Sequence, residues 1–450
     1  MSVKALQKTA VIFAAALMVG FATMAGAATP APVPAVTTAP VAAPVAPVVA
    51  APAPAAAKTV VPATVAVAPA AATSNIAPIV PSNLPQAAPA PLPPMDTIAT
   101  RAILIDVGTG SVLLSKDPDG KMPTSSMSKT VSLYLVFDAL KKGQWKLTDE
   151  LPVSEKAWKM QGSKMFIKVG DRVKVEDLIR GVATISGNDA VVCLAEGLSG
   201  SEDDFTERLN ALAKQLGMNN SHFMNASGWP VDGHYSTPRD LAIIGQHLIS
   251  DFPEYYHFFS EPNFSFVADG RTITQPATDP LIGKVPGVDG IKTGHTDIAG
   301  YGIISSAKRG DRRLILVVNG LPTEQARATE SARLLEWGFR NFENDKIISA
   351  GDEVEQAKVW LGKDETVPLT VDHDVTVVLP IAKRDGLKMS VKYAGPVEAP
   401  IRKGAVIGKL YIEIPDQPAQ DIDLVAGKDV ERANVFGRVA ARLHHLLGGA

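Results

Sequence analysis

The chain has 450 residues, 46% of them hydrophobic, and a formal net charge of −3 at pH 7. This length predicts two or three domains with a sizeable core, and so small a net charge argues against a nucleic-acid partner or an acidic tail. A single cysteine, Cys193, excludes an intrachain disulfide, and its apolar neighbours favour a buried residue over a nucleophile.

The first 27 residues have the three parts of an export signal. Lys4 and Lys8 precede an apolar run over residues 10–21, and Ala25-Gly26-Ala27 supplies the small residues of a cleavage site. The apolar run is short for a membrane span. We therefore predict a signal peptide over 1–27, with an uncleaved anchor as the alternative, and either would export the chain.

Residues 28–95 consist almost entirely of Ala, Pro, Val and Thr. This stretch holds half of the chain's 34 prolines, and Lys58 is its one charged residue. Proline removes backbone donors and breaks helices, so the composition predicts a disordered spacer. Its role stays open: it could hold a folded domain away from a surface, or it could be inert.

The folded part is predicted to begin near residue 97 with a β-hairpin. Two apolar runs, 102–106 and 111–114, flank Gly108-Thr109-Gly110, a pattern that is typical of hairpins. Residues 128–140 follow and are apolar on nearly every face, which predicts a buried helix.

Helical patterns dominate the next part of the chain, 175–249, with an interruption at 186–188. Strand patterns then return over 288–293, 302–307 and 313–319, followed by a helical pattern over 330–339. Strands, then helices, then strands predict an α+β domain over 96–346, in which one sheet carries a helical insertion.

The hydrophobic pattern of the sequence changes after residue 348. Short apolar runs separated by turn residues predict a small β-rich domain over 347–428. Residues 429–450 show an apolar face at helical spacing and a basic opposite face, which predicts a terminal amphipathic helix. Such a helix could lie in a membrane interface or pack on the protein as a cap.

Ser126 and Lys129 stand at i and i+3 at the start of the predicted buried helix, so their side chains share one helix face. A serine hydroxyl needs a neighbouring base to become a nucleophile, and lysine can be that base when burial or nearby positive charge lowers its pKa. The same spacing recurs at Ser305 and Lys308, but on a predicted strand, where i and i+3 point to opposite faces. We interpret that copy as a chance match.

Two further motifs follow in order. Ser186-Gly187-Asn188 falls in the helix interruption, and Lys292-Thr293-Gly294 falls on a predicted strand. Together with Ser126 and Lys129 they form the set found in class A β-lactamases and penicillin-binding proteins.

With these motifs the chain resembles the low-molecular-weight penicillin-binding proteins, such as penicillin-binding proteins 5 and 6, which are serine D-alanyl-D-alanine carboxypeptidases. The likeness extends over residues 181–190, 234–237, 288–301 and 334–339. It implies a β-lactamase/transpeptidase-like catalytic domain, built on an antiparallel sheet with a helical insertion, and a small C-terminal β-rich domain.

The resemblance also implies roles for individual residues. Ser126 would attack the carbonyl between two terminal D-alanines, Lys129 would be its general base, and Ser186 would relay a proton to the leaving D-alanine. Substrate binding would fall to Asn188, Lys292, Thr293, Gly294, His295 and Arg327. The backbone N–H groups of Ser126 and His295 would form the oxyanion hole, and Arg327 would lie near the substrate carboxylate.

The implied activity is removal of the terminal D-alanine from peptidoglycan stem peptides through an acyl-enzyme, with β-lactams as covalent inhibitors. The expected location is periplasmic, peripheral on the outer face of the cytoplasmic membrane through the terminal helix. No cofactor is expected, and the sequence has no His-Glu-x-x-His zinc motif.

Alternatives remain. D,D-endopeptidase action on cross-links would use the same chemistry, and an inactive wall-binding protein could share the fold. A β-lactamase would need a deacylating acid, and Glu207 is interpreted as a solvated helix residue. Residues 275–280 replace the Asn-Arg-Asn sequence that family members often carry, so substrate preference beyond D-Ala-D-Ala stays open.

Overall fold

In this computed structural model, residues 95–435 are described, except 269, 415, 416 and 418. The predicted signal peptide lies outside the described residues, as does the predicted spacer apart from its last residue. In chain order the strands are β1 (Arg101–Asp106), β2 (Val112–Lys116), β3 (Glu150–Pro152), β4 (Arg172–Lys174), β5 (Asn263–Ala268), β6 (Arg271–Pro276), β7 (Val288–Thr296), β8 (Gly300–Arg309), β9 (Arg312–Leu321), β10 (Phe342–Ile348), β11 (Glu353–Trp360), β12 (Thr366–Thr370), β13 (Val375–Pro380), β14 (Lys388–Tyr393), β15 (Val397–Glu398), β16 (Val406–Glu413) and β17 (Gln420–Ala426). The helices are α1 (Lys129–Lys141), α2 (Glu155–Lys159), α3 (Val175–Ile185), α4 (Asn188–Ser199), α5 (Glu202–Gln215), α6 (Pro238–Asp251) and α7 (Glu324–Asn341).

The first part of the chain is built on a five-stranded antiparallel sheet in the order β2-β1-β9-β8-β7. The predicted hairpin is confirmed as β1 and β2, and α1 to α6 are inserted between β2 and β7. This is the predicted α+β arrangement of one sheet with a helical insertion.

Both faces of this sheet are covered, as the alternation of its side chains requires. Ile103 and Ile105 of β1 point into the larger core, which they share with α1 to α6. Leu104, between them, points to the other face and packs in a cluster with Leu334 and Leu335 of α7. Burial of each such side chain contributes roughly 1.5–3 kcal/mol, so the sheet is fixed from both sides.

Helix α7 is longer than the predicted helix over 330–339. It begins at Glu324 because Thr323 caps it, with the Thr323 hydroxyl accepting the N–H of Ala326 at 3.0 Å. The additional first turn contains Arg327, so the cap at Thr323 fixes the position of Arg327 on the helix.

The C-terminal part is β-rich, as predicted, with a six-stranded sheet in the order β14-β16-β17-β12-β11-β15 and the pair β10-β13. Its core consists of apolar side chains such as Val367, Leu369 and Ile412. Strand β10 follows α7 directly and starts at Phe342, four residues before the last residue of the predicted catalytic domain, 346.

The predicted terminal helix is wrong over residues 429–434, which are extended. Val430 forms a bridge with Ile401, and Arg432 forms a bridge with Gly362, so backbone pairing replaces the helix there. Residues 436–450, the rest of that prediction, lie outside the described residues. Among the helices that are described, none has the length and apolarity needed to cross a membrane.

Candidate active site

Ser126 lies in the 3-10 helix Ser125–Ser128 that leads directly into α1. Ser125 has a left-handed φ of 50°, which turns the chain sharply at this point. The side-chain nitrogen of Lys129, Nζ, is 2.8 Å from Ser126 Oγ and 2.7 Å from the Ser227 carbonyl oxygen. The predicted Ser–Lys pair is therefore in hydrogen-bond contact.

Lys129 is fully buried, with no exposed side-chain surface. Burial, and then the nearby positive charge of Lys292, hold the pKa of Lys129 well below its usual range. An uncharged amine in contact with a hydroxyl can accept its proton, which is the requirement for activating a serine.

The loop over residues 225–229, which was not predicted from the sequence, supplies a second hydrogen-bond partner of Lys129. Asn225 Oδ1 accepts the backbone N–H groups of Gly228 at 2.8 Å and Trp229 at 3.0 Å. This turn aims the Ser227 carbonyl at Lys129. Gly228 has a φ of +78°, and a Cβ there would lie 1.9 Å from the Ser125 carbonyl oxygen. The signal available in the sequence was Asn225-Ala226-Ser227-Gly228, in which Asn, Ser and Gly are residue types typical of turns.

The predicted helix interruption separates α3 from α4. Ser186 ends α3 in the left-handed region with φ 64°, and its hydroxyl is buried without a hydrogen-bond partner among the described residues. Asn188 begins α4, and its Nδ2 donates to the Gln161 carbonyl at 2.6 Å. The neighbouring Asp189 accepts the N–H groups of Met165 and Phe166 at 3.0 and 2.9 Å, which ties this turn to the preceding loop.

Lys292, Thr293 and Gly294 lie on β7, the edge strand of the sheet. Lys292 is 1% exposed, and its Nζ donates to the Thr293 carbonyl at 3.1 Å. Burial, and then the Arg327 guanidinium, lower the pKa of Lys292 to about 7. A Cβ at Gly294 would lie 3.1 Å from the Ser125 Cβ, so the absence of a side chain lets β7 pack against the serine turn.

His295 and Arg327 lie at the same end of the sheet. The His295 ring is exposed and stacks on Tyr301, with ring centroids 3.9 Å apart. The Arg327 guanidinium lies 5.6 Å from the centroid of the same Tyr301 ring. Arg327 is buried, and its Nη2 donates to Glu324 at 3.0 Å. Arg327 is therefore not a surface arginine.

The structure also locates the three residues to which the sequence gives no catalytic role. Lys308, the second member of the chance Ser-x-x-Lys copy, is exposed on β8, and Glu207 is exposed on α5. Cys193 is buried, and burial raises the pKa of its thiol to about 12. In the described part of the chain there is no cluster of three or more His, Cys, Asp or Glu side chains suited to a metal ion.

A serine in hydrogen-bond contact with a buried lysine at the start of a core helix, beside an edge strand that carries Lys-Thr-Gly, defines the class of serine acyl-enzymes that includes β-lactamases and penicillin-binding proteins. The family model described as D-alanyl-D-alanine carboxypeptidase matches residues 86–323, and that of the penicillin-binding protein 5 C-terminal domain matches 342–432. The second match begins where β10 begins.

Individual relatives agree with the family models. D-alanyl-D-alanine carboxypeptidase DacA of Haemophilus influenzae is 38% identical over 353 residues, which cover 77% of this chain and 88% of the relative. The crystal structure of penicillin binding protein 5 from the same organism matches with a TM-score of 0.69 at 37% identity, covering 76% of this chain and all of that one. Penicillin-Binding Protein D2 from Listeria monocytogenes, in its ampicillin bound form, matches with a TM-score of 0.50 at 32% identity, covering 55% of this chain and all of that one.

The chain therefore belongs to the low-molecular-weight penicillin-binding proteins that are serine-type D-alanyl-D-alanine carboxypeptidases.

Proposed function

We propose that this carboxypeptidase acts through an acyl-enzyme on Ser126, with neutral Lys129 as the general base. The observation that carries the proposal is the 2.8 Å contact between Lys129 Nζ and Ser126 Oγ, made by an amine that is fully buried. Burial and the charge of Lys292 both lower the pKa of Lys129, so the amine can take the hydroxyl proton at the moment of attack.

The chemical steps follow from this pair. Ser126 Oγ attacks the carbonyl carbon of the penultimate D-alanine while its proton moves to Lys129. The negative charge on the carbonyl oxygen is stabilised by the backbone N–H groups of Ser126 and His295. The C–N bond then breaks, and Ser186 relays a proton to the leaving D-alanine. Water hydrolyses the ester in a second step and restores the Ser126 hydroxyl.

Substrate binding is assigned to the residues around the pair. Lys292, Thr293 and Arg327 attract the terminal carboxylate, and Asn188 binds the peptide backbone. Gly294 allows the close approach of β7, an edge strand to which an extended peptide can add. The substrate proposed is the D-Ala-D-Ala end of a peptidoglycan stem peptide.

β-Lactams are proposed to acylate the same serine. A solved relative, Penicillin-Binding Protein D2 from Listeria monocytogenes, is described in an ampicillin bound form, and this chain retains Ser126, Lys129 and Lys292. Exposure of Glu207 on α5 argues against a β-lactamase acid at that position, so the acylated protein should be long-lived.

Export and membrane contact are also proposed. Residues 1–27 have the sequence pattern of a signal peptide, and the wall substrate requires export. The basic amphipathic pattern that continues through residues 436–447 supports peripheral contact with the outer face of the cytoplasmic membrane.

The test is fluorescent-penicillin labelling of protein that begins at residue 28, with the labelled peptide mapped by mass spectrometry. Label should appear on Ser126 and be lost in Ser126→Ala, while the matched control Ser305→Ala, in the chance copy of the motif, should label normally. Release of D-alanine from a pentapeptide, compared with cleavage of a cross-linked dimer, separates carboxypeptidase from endopeptidase action. Folded protein without label would overturn the proposal and favour a wall-binding role.

A further inference from the structure

The proposed mechanism places opposite demands on two buried lysines. Lys129 must be neutral to accept a proton, whereas Lys292 must be an ammonium ion to attract a carboxylate. Both are almost completely buried, at 0% and 1% exposure, and burial disfavours the charged form of each. A neighbouring negative charge is needed to keep Lys292 charged.

Asp279, in the connection between β6 and β7, is placed to supply that charge. It is 8% exposed, and its Oδ1 accepts the N–H of Leu281 at 2.9 Å. Its Oδ2 is buried and has no hydrogen-bond partner among the described residues. A buried carboxylate oxygen without a partner is costly, so this one calls for a compensating charge.

The adjacent residue, Thr278, ties this loop to both cations of the site. Its hydroxyl accepts a hydrogen bond from the Thr293 hydroxyl at 2.9 Å, next to Lys292, and its carbonyl accepts Arg327 Nη2 at 3.4 Å. Asp279 therefore lies within electrostatic range of Lys292 and of Arg327. Arg327 already has Glu324 as a partner at 3.0 Å, whereas within residues 95–435 as described the hydrogen bond of Lys292 goes to the Thr293 carbonyl.

We propose that Asp279 is a positioning residue that keeps Lys292 an ammonium ion while Lys129 is neutral, and so sets the affinity for the substrate's terminal carboxylate. This inference rests on the proposed function of the site. It gives the loop over 275–280 a specific role in substrate recognition.

The charges around Asp279 agree with this role. Burial raises the pKa of Asp279 to about 6, against the opposing effects of Arg327 and Lys292. Burial and Arg327 lower the pKa of Lys292 to about 7, and Asp279 raises it. Among the described residues, the titratable groups that face Asp279 and Lys292 are Arg327 on α7, with Glu324 beyond it, and Lys129 on α1. Removal of the Asp279 charge would therefore make Lys292 lose its proton at a lower pH.

The experiment compares Asp279→Asn with the wild type between pH 5.5 and 9. Above pH 7, the variant's KM for a peptide ending in D-Ala-D-Ala should rise about tenfold, the change expected when a pKa falls by about one unit. Its kcat should change less than about threefold. Near pH 5.5 the two KM values should converge, because Asp279 is then largely protonated in the wild type. A substrate analogue with a C-terminal amide should not distinguish the two proteins.

Two controls separate this role from a structural one. Asp311→Asn removes an exposed carboxylate from the β8–β9 turn and should leave the pH profile unchanged. An arginine at position 292 keeps its charge throughout this pH range, so the KM of Lys292→Arg should not change up to pH 9. In the double variant Lys292→Arg/Asp279→Asn, KM should likewise show no pH-dependent rise.

The outcomes are distinct. A KM increase that is equal at every pH, or one that persists in the Lys292→Arg background, would overturn the inference and leave Asp279 a structural residue. If Asp279→Asn does not fold, the wild type and Lys292→Arg still test the inference. It would be overturned if the KM of the wild type rose above pH 7 no more steeply than the KM of Lys292→Arg. Absence of penicillin label on wild-type Ser126 would instead count against the proposed function.

Discussion

The two parts of this molecule have cores of opposite character. The catalytic part buries ionisable side chains at its centre, namely Lys129, Asp189, Asp279, Lys292 and Arg327. In the C-terminal β part, from Phe342 onward, Thr370 is the one polar side chain that is buried among the described residues. Burying a charge is unfavourable unless it is compensated, so the catalytic part loses stability in order to hold its site.

The core of the catalytic part holds the residues of the active site, whereas the core of the β part stabilises the fold by apolar packing. The two parts also meet directly: Phe342 packs in the cluster beneath the catalytic sheet, and Asn344 Nδ2 donates to Asp106 at 3.2 Å. If the division is correct, substitutions in the charged core should change activity, and substitutions in the apolar core should change stability alone.

The largest effect is expected at the base. Lys129→Met keeps much of the side-chain volume and removes the amine, so penicillin acylation of Ser126 should slow by about 10³-fold, within the range for loss of a general base. The matched control is Lys308→Met, which removes the exposed lysine of the chance Ser-x-x-Lys copy and should acylate at the wild-type rate. Stopped-flow fluorescence measures both. Acylation of Lys129→Met within tenfold of wild type would assign the proton transfer to another group.

The next effect tests the apolar core. Ile412 is fully buried in the β part, so Ile412→Ala should lower the free energy of unfolding of the full chain by about 3 kcal/mol. Acylation of the folded protein should stay within about twofold. Urea unfolding and penicillin labelling measure the two quantities, and the exposed Ile381→Ala serves as control. A parallel loss of acylation would mean that the β part supports the site.

Much of this architecture could be predicted from the sequence because it follows periodicity. The strands of the central sheet and the buried α1 were predicted from apolar patterning. The residues of the three motifs, Ser126-x-x-Lys129, Ser186-Gly187-Asn188 and Lys292-Thr293-Gly294, were found because they are side chains with known chemistry. Of these residues, the structure brings Lys129 Nζ within 2.8 Å of Ser126 Oγ and packs Gly294 against the Ser125 turn.

The missed features depend on backbone and on tertiary contacts, which leave weaker signals. The Ser227 carbonyl that contacts Lys129 is a backbone group that every residue carries, so no residue type marks it. Burial of Asp279 depends on the packing of its loop against β7 and α7. Residues 429–434 have a helical pattern, yet pairing of Val430 with Ile401 satisfies their backbone as extended chain. Tertiary pairing overrides local propensity there.

The smallest effect is a difference in acid sensitivity between the two parts. His234 is buried beside the site: its Nδ1 accepts the N–H of Met224 at 3.2 Å, and its Nε2 bonds Ser128 Oγ at 3.1 Å. Burial lowers the pKa of His234 to about 4, against about 6.5 in an unfolded chain. The unfolded state therefore binds more protons between these two pKa values.

The contribution of neutral His234 to the free energy of unfolding is thus fully present above pH 6.5, and it is lost as the pH falls toward 4. Between pH 7 and pH 5 the wild type should lose about 2 kcal/mol more unfolding free energy than His234→Gln, which cannot titrate. Urea unfolding at the two pH values measures this, with the exposed His257→Gln as control. Equal losses in wild type and His234→Gln would contradict the assignment. If the extra loss of unfolding free energy disappears only in His234→Gln, the acid sensitivity arises in the polar core of the catalytic part, since the described core of the β part buries no histidine.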